Sequence, residues 1–519
     1  MIDEVPGTVH LTLTEDAEED GVVVSGRRAH GHVTRVLSDG WWERPSLPDG
    51  TERGDRLRSR AASRGFGPVA SAPGRTSGVV VLAALLTACA ARVPHDRTFV
   101  SDAIEKRSGH ALGPETAGAD ARLPDGVSLA DGLSEDDAVA IALWNNAELA
   151  ATLAELGFAR ADLVEAGLIR NPVFSLLFPV GPKQLEFTLT WPIDVLWQRP
   201  RRVAAARLDA ERVAERLVQS GLDLVRDVRT AHAELLLAQE RARLLEELRA
   251  LRAKIGEIAD ARLRLGDVSV MEASAARLDA ARAEEEASRS LREARSARDR
   301  LRTLMGVPGD EPPFDPAAEA TPSAAPPELT ALLKEALAAR PDLRAAELGI
   351  EAAGRRAGLA RSEILTLSAV LDANAEGKEG FEMGPGVTLE LPLFGRHKGR
   401  LARAQAEMQR EAKRYLATRH RIDLEVRQSL TSVLGAREAL ALWRDRLIPT
   451  FADNVTRADQ AHTAGEVPML AVLEAKRLHI EGRIREAEIA ASLRRAAAAL
   501  DHGVGKSVGR VPLQRSEVR

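Results

Sequence analysis

The chain has 519 residues, of which 29% are charged and only 3% aromatic, and its long tracts consist of Ala, Leu, Arg and Glu. These residues lose least free energy on entering a helix, so the composition predicts a largely helical protein. The net charge of -5 and the pI near 6.2 give no basic excess, which excludes nucleic acid as an expected partner.

The sequence also disfavours an enzyme. A single cysteine excludes an internal disulfide framework and a thiolate metal cluster. The 11 His residues include no HExxH pair, and no glycine-rich phosphate loop opens a helix after a buried strand. The carboxylates show no acid–base pairing. We therefore expect no catalytic site, no cofactor and no metal site.

The N-terminal part of the chain predicts a leader. Residues 1–70 are rich in Gly, Arg, Asp and Ser without periodicity, which indicates a disordered extension or an over-extended gene start. Residues 71–88 contain Arg75 and then an apolar run, which is too short to span a bilayer, where roughly 20 residues are needed. This segment predicts a lipoprotein signal peptide, after which Cys89 becomes the acylated mature N-terminus. The alternative is a chance apolar segment with a buried cysteine.

The remainder reads as a tandem repeat. After a polar linker at 89–130, the first repeat spans 131–310, a Pro-rich linker spans 311–327, and the second repeat spans 328–505, before a disordered tail at 506–519. Each repeat opens with a predicted helix, Ala138–Ile169 and Leu329–Ile364, and Asn146 of the first corresponds to Arg340 of the second.

Each repeat then changes to an alternating pattern that predicts one β-hairpin. In the first repeat, a strand over Val173–Val180 precedes one over Leu185–Trp191. In the second, alternation over Leu367–Ala373 precedes alternation over Val387–Leu391. Strands of about 8 to 10 residues suffice to cross a membrane at a tilt, although a soluble hairpin is the alternative. Because the smallest membrane barrels need about eight strands, four strands in a membrane would require oligomerisation.

Two long helices follow the hairpins, at Arg201–Leu265 and Gly399–Ala464. At 1.5 Å per residue each would be about 100 Å long. Apolar residues at alternating spacings of four and three predict coiled-coil seams, and the first helix carries a second apolar stripe. Each long helix ends at a glycine, and a returning helix follows, at Val268–Leu304 and Val467–Leu500.

Several short motifs carry a resemblance to a known family. They are RPDLRAAE at 340–347, LPLF at 391–394 with Gly395, Arg396 and Arg400 after it, LIP at 447–449, AGE at 464–466 and VLEA at 472–475. In this order and with this duplication, residues 130–505 resemble the TolC-type outer-membrane efflux protein family. With Cys89 at its mature N-terminus, the chain is similar to the lipoprotein subgroup of that family.

The resemblance implies a mainly α protein with membrane β-structure. It implies a homotrimer, with a 12-stranded β-barrel in the outer-membrane lipid above a 12-helix α-barrel. Such a channel is the passive exit duct of a tripartite efflux pump for small solutes or metal ions, and it docks to a periplasmic adaptor and an inner-membrane pump. The sequence leaves the cargo open. The alternative is a lipid-anchored periplasmic coiled-coil adaptor or scaffold, which would not account for two hairpins.

The resemblance also maps two kinds of site. The adaptor-docking tip falls on six residues at the two helical turns, which as an alternative are only helix caps: Leu265, Gly266, Asp267, Ala464, Gly465 and Glu466. The acidic pore constriction falls on Ala471, where an expected acid is absent, and on Glu474, with Glu272 as a looser candidate. A solvated surface carboxylate is the alternative for both glutamates. The family's tip aromatic is replaced by His462 and Leu263.

Overall fold

The computed structural model describes residues 24–27, 32–35, 95–115, 121–127, 132–178, 185–307, 309, 313–317, 326–375, 380–391 and 397–508. The chain divides into two units, Met1–Ser77 and Gly78–Arg519. In the first unit, strands β1 (Val24–Arg27) and β2 (His32–Arg35) pair antiparallel. Cys89, the predicted signal peptide and the remainder of the extension lie outside the described residues.

The second unit contains the two repeats. Helix α1 precedes them at Arg97–Ser108. The first repeat comprises α2 (Glu135–Asn145), α3 (Ala147–Leu153), α4 (Glu155–Gly167), β3 (Val173–Leu177), β4 (Leu185–Pro192), α5 (Val195–Leu265) and α6 (Val270–Met305). The second comprises α7 (Leu329–Ala339), α8 (Pro341–Ser362), β5 (Thr366–Ala375), β6 (Phe381–Glu390), α9 (Lys398–Leu442), a π-turn (Trp443–Leu447), α10 (Ile448–Thr463) and α11 (Met469–Val504).

The opening helix of each repeat is broken, where one continuous helix was predicted. One break in each repeat falls at the corresponding residues Asn146 and Arg340, whose ψ angles of 115° and 119° are extended. The first repeat has a further interruption at Ala154. Asn146 accepts a hydrogen bond from the backbone N–H of Leu149 and so caps α3. Arg340 precedes Pro341, which disfavours helical backbone at the residue before it.

Both breaks are tied to the end of the returning helix in the same repeat. The Asn146 side chain donates to the carbonyl of Leu304 at 2.9 Å, and the Arg340 guanidinium donates to the carbonyl of His502 at 3.0 Å. The repeats therefore share a junction at which the broken helix meets the last turn of α6 or α11. The same side-chain-to-carbonyl contact thus occurs at equivalent positions of both repeats.

The four long strands form one antiparallel sheet in the order β3-β4-β5-β6. The two hairpins join through β4 and β5, where Leu189 pairs with Leu371. Strand β6 begins six residues before the predicted alternation and pairs with β5 from Phe381 onward. It includes Pro385, which is tolerated on an edge strand. The sheet thus has two edges, β3 and β6, that have no neighbouring strand within the described residues.

The core runs along α5, which packs against α6, α8 and α11, while α9 packs against α8 and α11. Both predicted stripes of α5 are buried, with Leu217, Val228 and Leu235 on the first and Val218 and Val225 on the second. Helix α5 also starts six residues before the predicted Arg201, with Pro200 inside its second turn.

Two segments predicted as linkers contribute to this core. Within 89–130, α1 packs on α5, where a side chain at Gly221 would collide with Ile104. Within 311–327, Phe314 is buried and the backbone of Asp315 accepts from Leu133 at 2.7 Å. At the start of the predicted tail, the backbone N–H of Val508 donates to Asp501. These short ordered pieces lack the periodicity that identifies an element in a sequence.

The second long helix contains a single irregular turn. Pro449 has no N–H to donate to the carbonyl four residues before it, and the N–H of Ile448 instead donates to Trp443, five residues back. The predicted Gly399–Ala464 helix is therefore α9 and α10 joined by a π-turn.

Candidate functional site

The two turns between long and returning helices have one geometry. Gly266 and Gly465 both adopt φ of 78°, the left-handed region that favours glycine. The N–H of the next residue then donates back to the helix end, from Asp267 to Arg262 at 2.9 Å and from Glu466 to Ala461 at 2.8 Å. These bonds satisfy carbonyls that the helix leaves unpaired. The glycines are required by their φ angle and not by crowding, because a Cβ at either would have no neighbour within 4 Å.

Both turns lie at the end of the helices away from the sheet. Helix α5 leaves the sheet at Val195 and reaches its turn 71 residues later, and α11 returns beside it, with Arg483 paired to Glu240 at 3.1 Å. The structure therefore brings both predicted halves of the tip to one end of the unit, with Gly266, Asp267, Ala464, Gly465 and Glu466 all exposed.

Large apolar side chains surround these turns. Leu265 is 79% exposed and Met271 is 83% exposed, and Val270 and Met469 are also exposed. Of these four residues, only Leu265 was predicted from the sequence. The sequence contained a signal for the other three, because each is an apolar residue within a few positions of a turn glycine, at the tip of the helices. A cluster of this kind is typical of a surface that contacts a partner.

Glu272, a candidate constriction residue, caps a helix. Ser269 is the N-cap of α6. Its backbone N–H donates to the Glu272 carboxylate at 2.9 Å, and the N–H of Glu272 donates to the Ser269 hydroxyl. The bond from the Ser269 backbone lowers the pKa of Glu272. This reciprocal capping box was not predicted, although Ser-x-x-Glu is its usual sequence signature.

Glu474, the other candidate, is charge-compensated. Arg477 donates to its carboxylate at 2.6 Å and to that of Glu481 at 2.7 Å. The hydrogen bond to Glu474 raises the pKa of Arg477, so the guanidinium remains charged. A carboxylate paired in this way attracts passing cations less than a free one, which weakens Glu474 as a selectivity element.

The sheet has two faces of opposite character, as the side-chain alternation of its register requires. One face is apolar across all four strands, with residues such as Phe174, Phe187, Leu371 and Phe381. The Phe187 ring lies 6.0 Å from Phe174 and 5.7 Å from Phe381 between ring centroids. The other face is polar and includes Glu186, Thr188, Asp372, Asn374, Glu382 and Glu390.

Acidic residues dominate the charge of the polar face. Glu186, Asn374 and Glu382 stand side by side on β4, β5 and β6, and Asp372 lies in the next row, where Thr188 donates to it at 2.8 Å. The described residues of strands β3 to β6 include no Lys or Arg. The polar face therefore attracts cations.

Within the described ranges, no three His, Cys, Asp or Glu side chains lie close enough together to hold a metal ion. None of the helices placed there combines the length and the apolar character needed to cross a membrane.

Comparisons with known proteins agree on one family. Residues 332–506 match the family described as Outer membrane efflux protein. The cobalt-zinc-cadmium resistance protein CzcC of Cupriavidus metallidurans is 26% identical over 382 residues, which cover 72% of this chain and 90% of CzcC.

Solved structures share the fold. The Campylobacter jejuni CmeC outer membrane channel aligns with a TM-score of 0.62 at 15% identity, covering 73% of this chain and 87% of CmeC. The Vibrio cholerae outer membrane protein VceC aligns with a TM-score of 0.60 at 20% identity, covering 72% of this chain and 96% of VceC.

Proposed function

The chain belongs to the outer membrane efflux protein family, and from this premise we propose that it forms the outer-membrane channel of a tripartite efflux pump. In this role it is a passive exit duct that docks to a periplasmic adaptor and an inner-membrane pump. The observation that carries the proposal is the four-stranded sheet, with one apolar face, one acidic face and two open edges, joined directly to helices up to 71 residues long.

The open edges favour assembly of several copies. In lipid, each unpaired backbone group on β3 and β6 would cost several kcal/mol, so a membrane-embedded sheet must close. Four strands are too few to close alone, because the smallest membrane barrels use about eight. Three copies supply 12 strands, the arrangement that the family resemblance implies.

The helices support the same closure. Helices α4 and α6 form one margin of the layer built around α5, and α9 forms the opposite margin. Phe158, Leu278 and Leu291 are exposed on the first margin, and Leu416 and Leu434 on the second. Apolar side chains on both margins fit contact between successive copies around a ring.

The acidic face of the sheet favours cations as cargo. In a closed barrel with its apolar face toward lipid, Glu186, Asp372 and Glu382 of each copy would line the pore. A relative named for resistance to cobalt, zinc and cadmium agrees with this proposal. We therefore place divalent metal cations first among the small solutes that the channel passes.

The helical turns serve as the docking tip in this proposal. The matched turns at Gly266 and Gly465, with Leu265, Val270 and Met271 exposed around them, offer an apolar surface to an adaptor. Acylation of Cys89 would anchor the chain to the outer membrane. A periplasmic scaffold, the alternative, needs no sheet with one wholly apolar face.

The proposal is tested with the full chain expressed in a Gram-negative host and purified from the outer membrane in detergent. We expect a mass of three copies by light scattering, a heat-labile oligomer on gels, and steady conductance in planar bilayers. Restored cation export in a strain without its own channel would place the duct in a pump. A strictly monomeric protein without conductance would favour the scaffold.

A further inference from the structure

A group of basic side chains lies where the helices meet the sheet. Six of them, which we call the basic collar, occupy the first two turns of α5 and α9: Arg199, Arg201, Arg202, Lys398, Arg400 and Arg403. Neither 195–208 nor 397–406 contains an Asp or Glu, in a chain whose net charge is -5. Lys398 and Arg400 lie in the first turn of α9, where positive charge opposes the helix dipole, so the helix itself does not favour them there.

Contacts place the collar at one level, directly below the sheet. Arg199 donates to the carbonyl of Gly167 at 2.6 Å and Arg202 to that of Leu168 at 3.2 Å, which joins α5 to the end of α4. Arg400 pairs with Glu363 at 3.3 Å, which joins α9 to the end of α8. The collar therefore crosses all four helix ends that adjoin the strands.

Exposed apolar side chains border the collar on the side of the sheet. Leu196 is 62% exposed and Leu168 60% exposed, and Trp191 and Trp197 are exposed beside them. Trp197 and Arg201 lie one helical turn apart and therefore share a face of α5. Indole rings prefer the boundary between hydrocarbon and water, and basic side chains reach from that boundary to headgroups.

We propose that the basic collar binds the anionic headgroups of phospholipids in the membrane leaflet that faces the helices. The proposal rests on the proposed function, in which the sheet lies in the membrane and the collar at its surface. The order along the protein, from apolar sheet face through exposed indoles to guanidinium groups, matches the order of a leaflet from acyl chain to phosphate. Charge complementarity selects anionic over zwitterionic lipid.

The experiment uses the full chain in detergent, so that it does not depend on insertion into a bilayer. Dioctanoyl phosphatidylglycerol and dioctanoyl phosphatidylcholine are titrated separately, and the melting temperature is followed. At low salt we expect half of the maximal stabilisation at an at least about tenfold lower concentration of the anionic lipid. The difference should shrink several-fold in about 0.5 M NaCl, where charges are screened within a few ångströms.

The collar variant combines Arg201→Gln, Lys398→Gln and Arg403→Gln. It spares Arg199, Arg202 and Arg400, which join the collar to the ends of α4 and α8. Within the described residues, the only inter-helix hydrogen bond or ion pair of the replaced side chains is the exposed 3.5 Å bond from Arg201 to the carbonyl of Gly358, so the helix junction should persist. We expect this variant to respond to both lipids at similar concentrations.

A matched variant removes three exposed basic residues of α6, by Arg282→Gln, Arg292→Gln and Arg295→Gln, and should keep the preference of the parent chain. A preference that survives in the collar variant, or that disappears equally in the α6 variant, would overturn the proposal. Glycerol phosphate acting as strongly as phosphatidylglycerol would show a general anion site and overturn it too.

The lipid titration and the channel test can fail separately. Loss of the proposed channel function appears as absent conductance and a monomeric mass, whereas loss of the collar proposal appears only as equal responses to the two lipids.

Discussion

Replacing Gly465 with arginine tests whether the helical turns dock a partner. In the structure this glycine is exposed, adopts φ of 78° and ends α10 beside the opening turn of α11. Gly465→Arg adds a long charged side chain at the centre of the proposed docking surface, where we expect it to block an apolar contact with the adaptor.

The structural cost of this change is small. A Cβ at this position meets no atom within 4 Å, so no clash arises. The left-handed backbone costs a residue with a side chain about 1 to 2 kcal/mol. That is a minor part of the roughly 5 to 15 kcal/mol that stabilises a typical domain. The fold, the oligomer and the conductance should therefore survive.

Two variants separate docking from folding. Gly465→Asn tolerates the left-handed backbone without adding charge and should retain most function. Gly354→Arg places the same side chain at an exposed position of α8, where a Cβ also meets no atom within 4 Å. This variant should change neither crosslinking to the adaptor nor export. Oligomer mass, crosslinking to the adaptor and export from whole cells are measured for all three. Normal crosslinking and normal export in Gly465→Arg would refute the tip assignment.

Three further changes test other parts of the account. Cys89→Ser should abolish incorporation of labelled palmitate while leaving the oligomer intact, and continued labelling would show that another residue is acylated. Arg340→Met should cost up to about 3 to 5 kcal/mol in unfolding, because it removes the buried guanidinium that pairs with Asp342 and Glu425 and leaves Asp342 only its ion pair with Arg421. Burial would raise the pKa of Asp342 but hydrogen bonds from Arg340 lower it overall, so this stability should be complete above about pH 4 and lost as the pH falls through the lowered pKa. An equally stable variant near neutral pH would contradict the pairing. Asp372→Lys should reduce the preference for cations over anions about severalfold in bilayer recordings, whereas an unchanged preference would show that the acidic face does not line the pore.

The duplicated plan and its family could be predicted because each depends on patterns that survive in a single sequence. The buried stripes of α5, such as Leu217 and Val228, repeat at helical spacing over many turns, and the left-handed glycines mark the turns. The comparisons confirm the family. The six predicted tip residues lie at the two helical turns, and their docking role stays a prediction.

Features set by single contacts could not be predicted. The break at Asn146 depends on two bonds of its side chain, one from the N–H of Leu149 and one to the carbonyl of the distant Leu304. Neither contact produces a periodic pattern in the sequence. Helix α1 was read as a linker because its burial depends on Gly221, more than 100 residues away. The pairing of Glu474 with Arg477 is an exception. Its i,i+3 spacing on one helix made it predictable, but the family resemblance concerned only the Glu474 carboxylate.

The acidic and apolar faces of the sheet could be predicted only in part. Alternation along β4 predicted one apolar face, whereas the assembly of four strands into one sheet depends on the β4–β5 pairing between the repeats. Only that register brings Glu186, Asp372 and Glu382 together. Sequence spacing could not reveal it, because the two hairpins are far apart along the chain.

Closure of the sheet by three copies is tested most directly by disulfides between its edges. In a Cys89→Ser background, Ser175→Cys on β3 is combined with cysteine at Glu382, Gly384 or Gly386 on the same face of β6. Disulfides form only where Cα atoms lie within about 7 Å, so one register should crosslink best. A closed ring of three predicts crosslinked species of two and three copies and none larger. Exclusively monomeric chains, or a ladder that continues beyond three copies, would contradict a sealed barrel of 12 strands.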